Sequence, residues 1–374
     1  MLNSSIKVCH LTSVHPRNDT RVFHKMCKSL NKFGFDTSLI VADGKGNEII
    51  QGIKIYDVGK ASGRIKRILL TTFKVFIKAQ KLNANLYHFH DPELILAGLL
   101  LKFKKKKVIF DSHEDVPKQI FGKYYINFFL RYVLSFLIRI LEKVVCPYFN
   151  GIIAATPAIE KKFLKINQNV MNINNYPIID ELKSSQSETE NFFFVTYVGA
   201  ISSIRGISEI IKSMDHVKAN IRLQLAGKFN PTSLLQDMTK YPGWKKVDYL
   251  NQISRLELNK LLSNSVAGIV TFHPSPNHLE SQPNKLFEYM SAGIPVIASN
   301  FPLWKEIVEG NNCGICVDPL NPKAIGEAIQ YFIEHPYEQK EMGRNGLKTV
   351  YNKYNWAIEE KKFISFYNKV IKLK

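Results

Sequence analysis

Cysteine is scarce in this chain of 374 residues, and its five copies, Cys9, Cys27, Cys146, Cys313 and Cys316, are odd in number and scattered. That excludes a disulfide framework and points to a reducing compartment. Cys313 and Cys316 form a C-x-x-C pair, but no further ligands lie at the spacing a zinc site needs. The first residues, Met1 to Lys7, lack the charged and then apolar layout of a secretion signal, so a cytoplasmic protein is expected. No uninterrupted apolar run reaches the ~20 residues of a membrane-crossing helix, because Arg131 and Arg139 break the longest one. Acidic residues are also thin in the first half: between Pro117 and Asn150 only Glu142 is acidic.

What is present is a chain with 45% hydrophobic and 22% charged residues, long enough for two globular units. Its net charge is +19, with 51 Lys and Arg against 32 Asp and Glu. The cations crowd the first half at Arg64, Lys66 and Arg67, at Lys102 and Lys104 to Lys107, and at Lys118, Lys123, Arg131 and Arg139. From Phe121 to Phe136 they are interleaved with aromatics, including Tyr124, Tyr125, Phe128, Phe129 and Tyr132. Two readings fit this stretch. It is either a helix lying on an anionic membrane surface, or a domain helix whose outer face is basic.

Short β-branched and aromatic runs alternate with helical segments throughout, which predicts α/β units with parallel sheets. The first series of strands is expected at 6–13, 37–42, 53–58, 86–90, 107–112 and 151–155. A polar stretch follows, and a second series is expected at 192–199, 221–226, 267–271, 294–299 and 314–317. The expected organisation is a first Rossmann-like domain over 1–182, a linker over 183–191 and a second such domain over 192–353. Residues 354–374 then form an amphipathic closing helix that packs back on the first domain. Ligands are expected in the crevice at the carboxyl ends of the strands.

The stretch E-S-Q-P-N-K-L-F-E-Y-M-S-A-G, Glu280 to Gly293, carries the densest chemistry. Pro283 suits the start of a helix and Gly293 its end, and a helix N-terminus can hold a diphosphate. Glu280 and Glu288, separated by seven residues, match the E-x7-E motif, and the segment resembles the retaining GT-B glycosyltransferases of family 4. The resemblance extends from H-L-T-S-V-H-P-R-N-D-T-R near the start to C-G-I-C-V-D-P near the end. It implies a GT-B fold, two Rossmann-like domains facing across a cleft, and transfer of a hexose-type sugar from a nucleotide diphosphate sugar, commonly a UDP-sugar.

By that resemblance Glu280 contacts the donor sugar, Glu288 the ribose, and Lys285 and Leu286 the donor at the helix start. Gly199 and Arg205, in Y-V-G-A-I-S-S-I-R-G, form the phosphate loop, where many members carry a basic residue in place of Ala200. His113, in V-I-F-D-S-H-E-D, matches the histidine beside the reacting sugar. His15, Asp19 and Arg21 lie on the acceptor side, Asp19 and Arg21 being equally readable as a local pair; His88 and His90 read as structural.

No Asp-x-Asp triplet occurs, so no metal and no other cofactor is expected. The expected partners are a nucleotide sugar, a saccharide acceptor that is lipid-linked, as in polysaccharide and O-antigen assembly, and the anionic cytoplasmic face of a membrane. A nucleotide-sugar 2-epimerase shares the fold, and production of a new sugar nucleotide from donor alone would identify one. A basic nucleic-acid-binding protein is the remote alternative, marked by salt-sensitive RNA retention without nucleotide-sugar binding.

Overall fold

The computed structural model describes residues 6–123, 126–179, 181–182 and 194–372. The expected linker 183–191, and Tyr124 and Tyr125, lie outside the described residues. The chain forms two compact units, one of Met1–Asn175 with Trp356–Lys374 and one of Tyr176–Asn355.

The first unit is built on an eight-stranded sheet in the order β3-β4-β2-β1-β5-β6-β7-β8. Its strands are β1 (Lys7–Leu11), β2 (Asp36–Val41), β3 (Glu48–Ile50), β4 (Ile53–Asp57), β5 (Leu86–Phe89), β6 (Lys107–Ser112), β7 (Gly151–Ala154) and β8 (Val170–Asn172). Every pairing is parallel except β3 with β4. Because helices cover both faces of a parallel sheet, its central strands are mostly apolar, and Val8 to Leu11 and Leu86 to Phe89 are fully buried, His10 and His88 included. The order reverses beside β1, whose neighbours are β2 and β5. The chain ends leaving β1 and β5 therefore diverge, which opens room for a ligand at Thr12 and His90.

Among the helices of this unit are α1 (Thr72–Leu82), α2 (Ile95–Phe103), α3 (Val116–Phe121) and α4 (Phe128–Val145). Its last helix, Trp356–Lys372, buries Trp356, Phe363, Phe366, Tyr367 and Val370 in this unit. Lys107 donates from Nζ to the carbonyls of Val370 and Ile371 at that helix's end. Lys106 bonds Asn83 Oδ1 at 2.6 Å, so of the four consecutive lysines only Lys104 and Lys105 stand fully outward. No helix is long and apolar enough to cross a membrane among the described residues.

The second unit has a six-stranded parallel sheet in the order β11-β10-β9-β12-β13-β14. Its strands are β9 (Phe194–Val198), β10 (Arg222–Ala226), β11 (Val247–Asn251), β12 (Ser265–Val270), β13 (Val296–Ser299) and β14 (Gly314–Val317). Here the order reverses between β9 and β12, so Gly199 and Thr271 leave the sheet at its switch point. Tyr176 and Leu182, which the sequence reading places at the end of the first domain, pack in the second unit's core with Phe287 and Tyr354. An aromatic and a leucine near a polar stretch carry no sign of which core will take them.

Candidate functional site

In the second unit the loop after β9 is shaped by two glycines. Gly199 has φ +118°, and a Cβ there would stand 2.4 Å from Cε and Nζ of Lys285. Gly206 has φ +71°, and a Cβ there would fall 1.9 Å from the Thr271 carbonyl oxygen at the end of β12. Both positions need the left-handed backbone and the missing side chain. The loop is thereby pressed against the neighbouring strand end, and Lys285 reaches across the bare face of Gly199.

Lys285 rises from the first turn of α5 (Asn284–Ser291), capped by Pro283. Its Nζ lies 5.7 Å from the Tyr197 ring centre and 5.8 Å from that of Phe272, and the Arg205 guanidinium carbon lies 5.4 Å from the same Phe272 centre. Two cations therefore share one aromatic wall. Among the described residues neither forms an ion pair. Burial pushes the Lys285 ammonium down to about 7, with repulsion from Arg205 adding to it and Glu288 opposing it. Such a corner, with free amides at the start of α5, favours a multiply charged anion.

Glu288 sits one turn further along α5, where its Oε1 accepts from Arg255 Nη1 at 2.7 Å. Arg255 also grips Glu181 through Nε and Nη2, both at 3.1 Å. Arg255 lies in no motif and its partners are remote in sequence, so nothing in the sequence marks this clamp. Glu280 is exposed on the segment leading into α5, which is held by Trp304 Nε1 donating to the Ser281 carbonyl at 2.8 Å and by Tyr176 bonding Gln282 at 3.1 Å. The Leu286 side chain is fully buried in the core and its amide donates to the Pro283 carbonyl, so it supports the helix and presents no side chain to a ligand.

In the first unit the strand ends hold a polar cluster centred on Asp111, the fully buried carboxylate near the end of β6. Arg21 donates to it twice, Nε to Oδ2 at 3.0 Å and Nη2 to Oδ1 at 2.7 Å, and gives Nη1 to the Ile173 carbonyl at 2.9 Å. Burial alone would raise the Asp111 carboxyl, but Arg21, His113 and His90 together hold it well below the usual range. His90 Nδ1 and His113 Nε2 each stand 3.0 Å from Asp111 Oδ2. With the carboxylate ionised, each of those nitrogens donates to it, and in a neutral His113 ring Nδ1 is then the acceptor.

Beneath this layer His90 Nε2 meets His10 Nδ1 at 2.8 Å, and Tyr367 lies 2.7 Å from His88 Nδ1. Burial lowers all three of these histidines, keeping them neutral. Above it, the His15 ring stacks on His113 at 5.0 Å and contacts Asp19 at 3.2 Å and Asp91 at 3.4 Å. Asp91 Oδ2 in turn accepts from Thr12 Oγ1 at 2.7 Å and Ser13 N at 2.6 Å.

The structure thus brings His15, Asp19 and His113 together, but it corrects two sequence readings. Arg21 is buried on Asp111 and faces no acceptor. It forms no side-chain pair with Asp19 either; Asp19 instead caps the helical segment Thr20–Cys27 by accepting from the amides of Arg21 and Val22. Two groups, His10 with His88 and His90, and His90 with Asp111 and His113, place ligand atoms within 4.8 Å of one another. A cation on the second group would face the Arg21 guanidinium across a carboxylate both of whose oxygens Arg21 already occupies.

Residues 178–349, which lie within the second unit apart from its ends, match the model of the glycosyl transferases group 1 family. The capsular polysaccharide biosynthesis glycosyltransferase CapM of Staphylococcus aureus is 24% identical over 63% of this chain and 66% of its own length. The D-rhamnosyltransferase WbpZ of Pseudomonas aeruginosa is 22% identical over 87% of this chain and 85% of its own. An uncharacterized glycosyltransferase of Methanocaldococcus jannaschii is 26% identical over 46% of this chain, and only 44% of that protein is spanned. Among solved structures, HepE of Anabaena in complex with UDP-glucose superposes with a TM-score of 0.75 at 14% identity, covering 97% of this chain and 100% of that one. The fold is that of the GT-B glycosyltransferases. The cationic corner at Gly199, Arg205 and Lys285 lies inside the group 1 match, and the Asp111 cluster lies outside it.

Proposed function

We propose that the protein is a retaining, metal-independent glycosyltransferase that moves a hexose-type sugar from a nucleotide diphosphate sugar, a UDP-sugar by preference, to a saccharide acceptor. The acceptor is lipid-linked and the product belongs to cell-surface polysaccharide or O-antigen assembly at the cytoplasmic membrane face. The observation that carries the reading is that Lys285 lies across Gly199 at the β9/β12 switch point while Lys285 and Arg205 share the Phe272 ring beside it. The UDP-glucose complex of HepE and the polysaccharide role of CapM support the choice of donor and product.

Breaking the bond from the anomeric carbon to the diphosphate puts positive charge on the sugar and negative charge on the leaving oxygen. Lys285, Arg205 and the α5 amides meet that negative charge in place of a divalent ion. Glu280 receives sugar hydroxyls, and Glu288, whose Oε1 is held by Arg255, offers Oε2 to the ribose. The acceptor hydroxyl attacks the face the phosphate leaves, and its proton passes to the departing phosphate oxygen. A new glycosidic bond replaces the sugar–phosphate bond with configuration kept.

His113 Nδ1, oriented through the Nε2 bond to Asp111, accepts from a hydroxyl of the reacting sugar. His113→Ala is expected to lower turnover on the order of 10²-fold while leaving UDP affinity within a factor of about two. Calorimetry with UDP and steady-state rates check both halves, and equal turnover would remove His113 from the site.

The reading as a whole is tested by calorimetry with UDP-, GDP-, ADP- and CMP-sugars in EDTA. One donor should bind without magnesium. A protein that binds none of them, or binds only when magnesium is restored, is not this enzyme. Conversion of a bound donor to another sugar nucleotide without acceptor would make it an epimerase.

A further inference from the structure

The first unit carries a second feature that the donor and acceptor chemistry leaves unused. Its helical run from Arg64 to Leu82, together with α2 and α4, turns large apolar side chains outward. Ile65, Phe73, Phe103, Phe129, Phe136 and Val144 are each at least 59% exposed. α1 packs beside α2, and α2 beside α4, so the exposed side chains belong to neighbouring helices. Few soluble proteins leave so much contiguous apolar surface uncovered without a partner.

The charges on these helices are of one sign. Residues 64–82 carry six cations and no acid, and residues 95–107 carry five cations and no acid. On α4 the one acid, Glu142, is buried and paired with Lys162 at 2.7 Å. Two copies of such a face would bring cation against cation, which disfavours self-association. A surface that is apolar within and anionic at its rim complements it, and that is an anionic bilayer.

The face also borders the Asp111 cluster on two sides. Arg67 donates to Glu93 at 3.0 and 3.1 Å, and Glu93 accepts from Ser13 at 2.6 Å, next to Asp91. On the other side the chain runs from His113 directly into α3, whose Pro117 carbonyl accepts from Ser135 of α4 at 3.0 Å. We infer that this three-helix face inserts its apolar side chains among anionic lipids, laying the acceptor end of the first unit against the headgroups. The inference rests on the glycosyltransferase reading only for its purpose, the delivery of a lipid-linked acceptor. It differs from attraction through the lysine run alone, since Lys106 and Lys107 are engaged within the protein and the contact is largely hydrophobic.

The test uses the full chain and vesicles of phosphatidylglycerol with phosphatidylcholine, against phosphatidylcholine alone. The unaltered protein should co-sediment with the anionic vesicles and keep part of that binding in 0.5 M NaCl, where surface charge is screened. The variant Phe73→Ser/Phe103→Ser/Phe129→Ser/Phe136→Ser changes only exposed side chains. It should bind vesicles at least about 10²-fold more weakly, each inserted ring being worth on the order of tenfold. Its melting temperature and its UDP-sugar binding should not change.

Equal vesicle binding by the variant overturns the inference. So does complete release of the unaltered protein by salt, or sedimentation as a dimer that the serines dissociate. Vesicle binding without any nucleotide-sugar binding would sink the enzyme reading and leave the surface standing.

Discussion

Lys285→Met is expected to reduce turnover on the order of 10²–10³-fold while raising the melting temperature of the ligand-free protein. The two effects have one origin. The ammonium is desolvated and faces Arg205, so the folded protein holds it at about 7 against an ordinary value of 10.5. Between those limits the native state binds fewer protons than the unfolded chain, and native stability therefore rises with pH from about 7 toward 10.5. At and below neutral pH the charge costs the fold; methionine fills the same volume without it. Each kcal/mol regained is worth about 2–4 °C in a unit of this size.

A diphosphate bound there, as proposed, would reverse the balance. An anion on Gly199 stabilises the ammonium, so donor binding takes up a proton above pH 7 and weakens as pH rises. Calorimetry at pH 6.5 and 8.5, in buffers of different ionisation heat, should show that uptake in the unaltered protein. Lys285→Met should bind more weakly at both values and show almost no pH dependence. A variant that binds donor as well as the parent, with the same slope, would show that the lysine holds no phosphate.

The central architecture was legible because parallel strands covered on both faces are written as apolar runs, as in Lys107–Ser112 and Gly314–Val317. The strands absent from the sequence reading are β3, β8 and β11, all at sheet edges. An edge strand faces solvent along one side, and Glu48, Asn172 and Asp248 dilute the pattern there. The corner of Gly199, Arg205 and Lys285 was expected from the family resemblance of Y-V-G-A-I-S-S-I-R-G and the E-x7-E segment, and the structure sets Lys285 against Gly199 and both cations on the Phe272 ring. The Arg21–Asp111 and Arg255–Glu288 pairs could not be expected, because their partners lie 90 and 33 residues apart and meet only through the sheet order. A carboxylate closing the run Val108 to Phe110 was the one available hint, since an acid is seldom left unpaired inside a parallel strand.

Arg21→Met should be the most destabilising single change in the first unit, costing about 3–5 kcal/mol. Arg21 is 3% exposed and Asp111 is fully buried, so the variant leaves a buried carboxylate without its guanidinium, held only by His90 and His113. In the native protein Asp111 is held well below its ordinary range, so the pair contributes stability that is fully present above the unfolded carboxylate value, near 4, and is lost only as pH falls below it toward the much lower folded-state value. Melting curves at pH 7 and pH 2 should therefore differ more for the unaltered protein than for the variant, which has already lost this contribution at neutrality. Adding Asp111→Asn to Arg21→Met removes the stranded charge and should recover part of the melting temperature. It should not recover turnover, because His113 then lacks the carboxylate that fixes which nitrogen carries its proton. Were the single variant as stable as its parent, the carboxylate would have to be solvated or protonated in the folded state, and the orientation argued for His113 would fall with it.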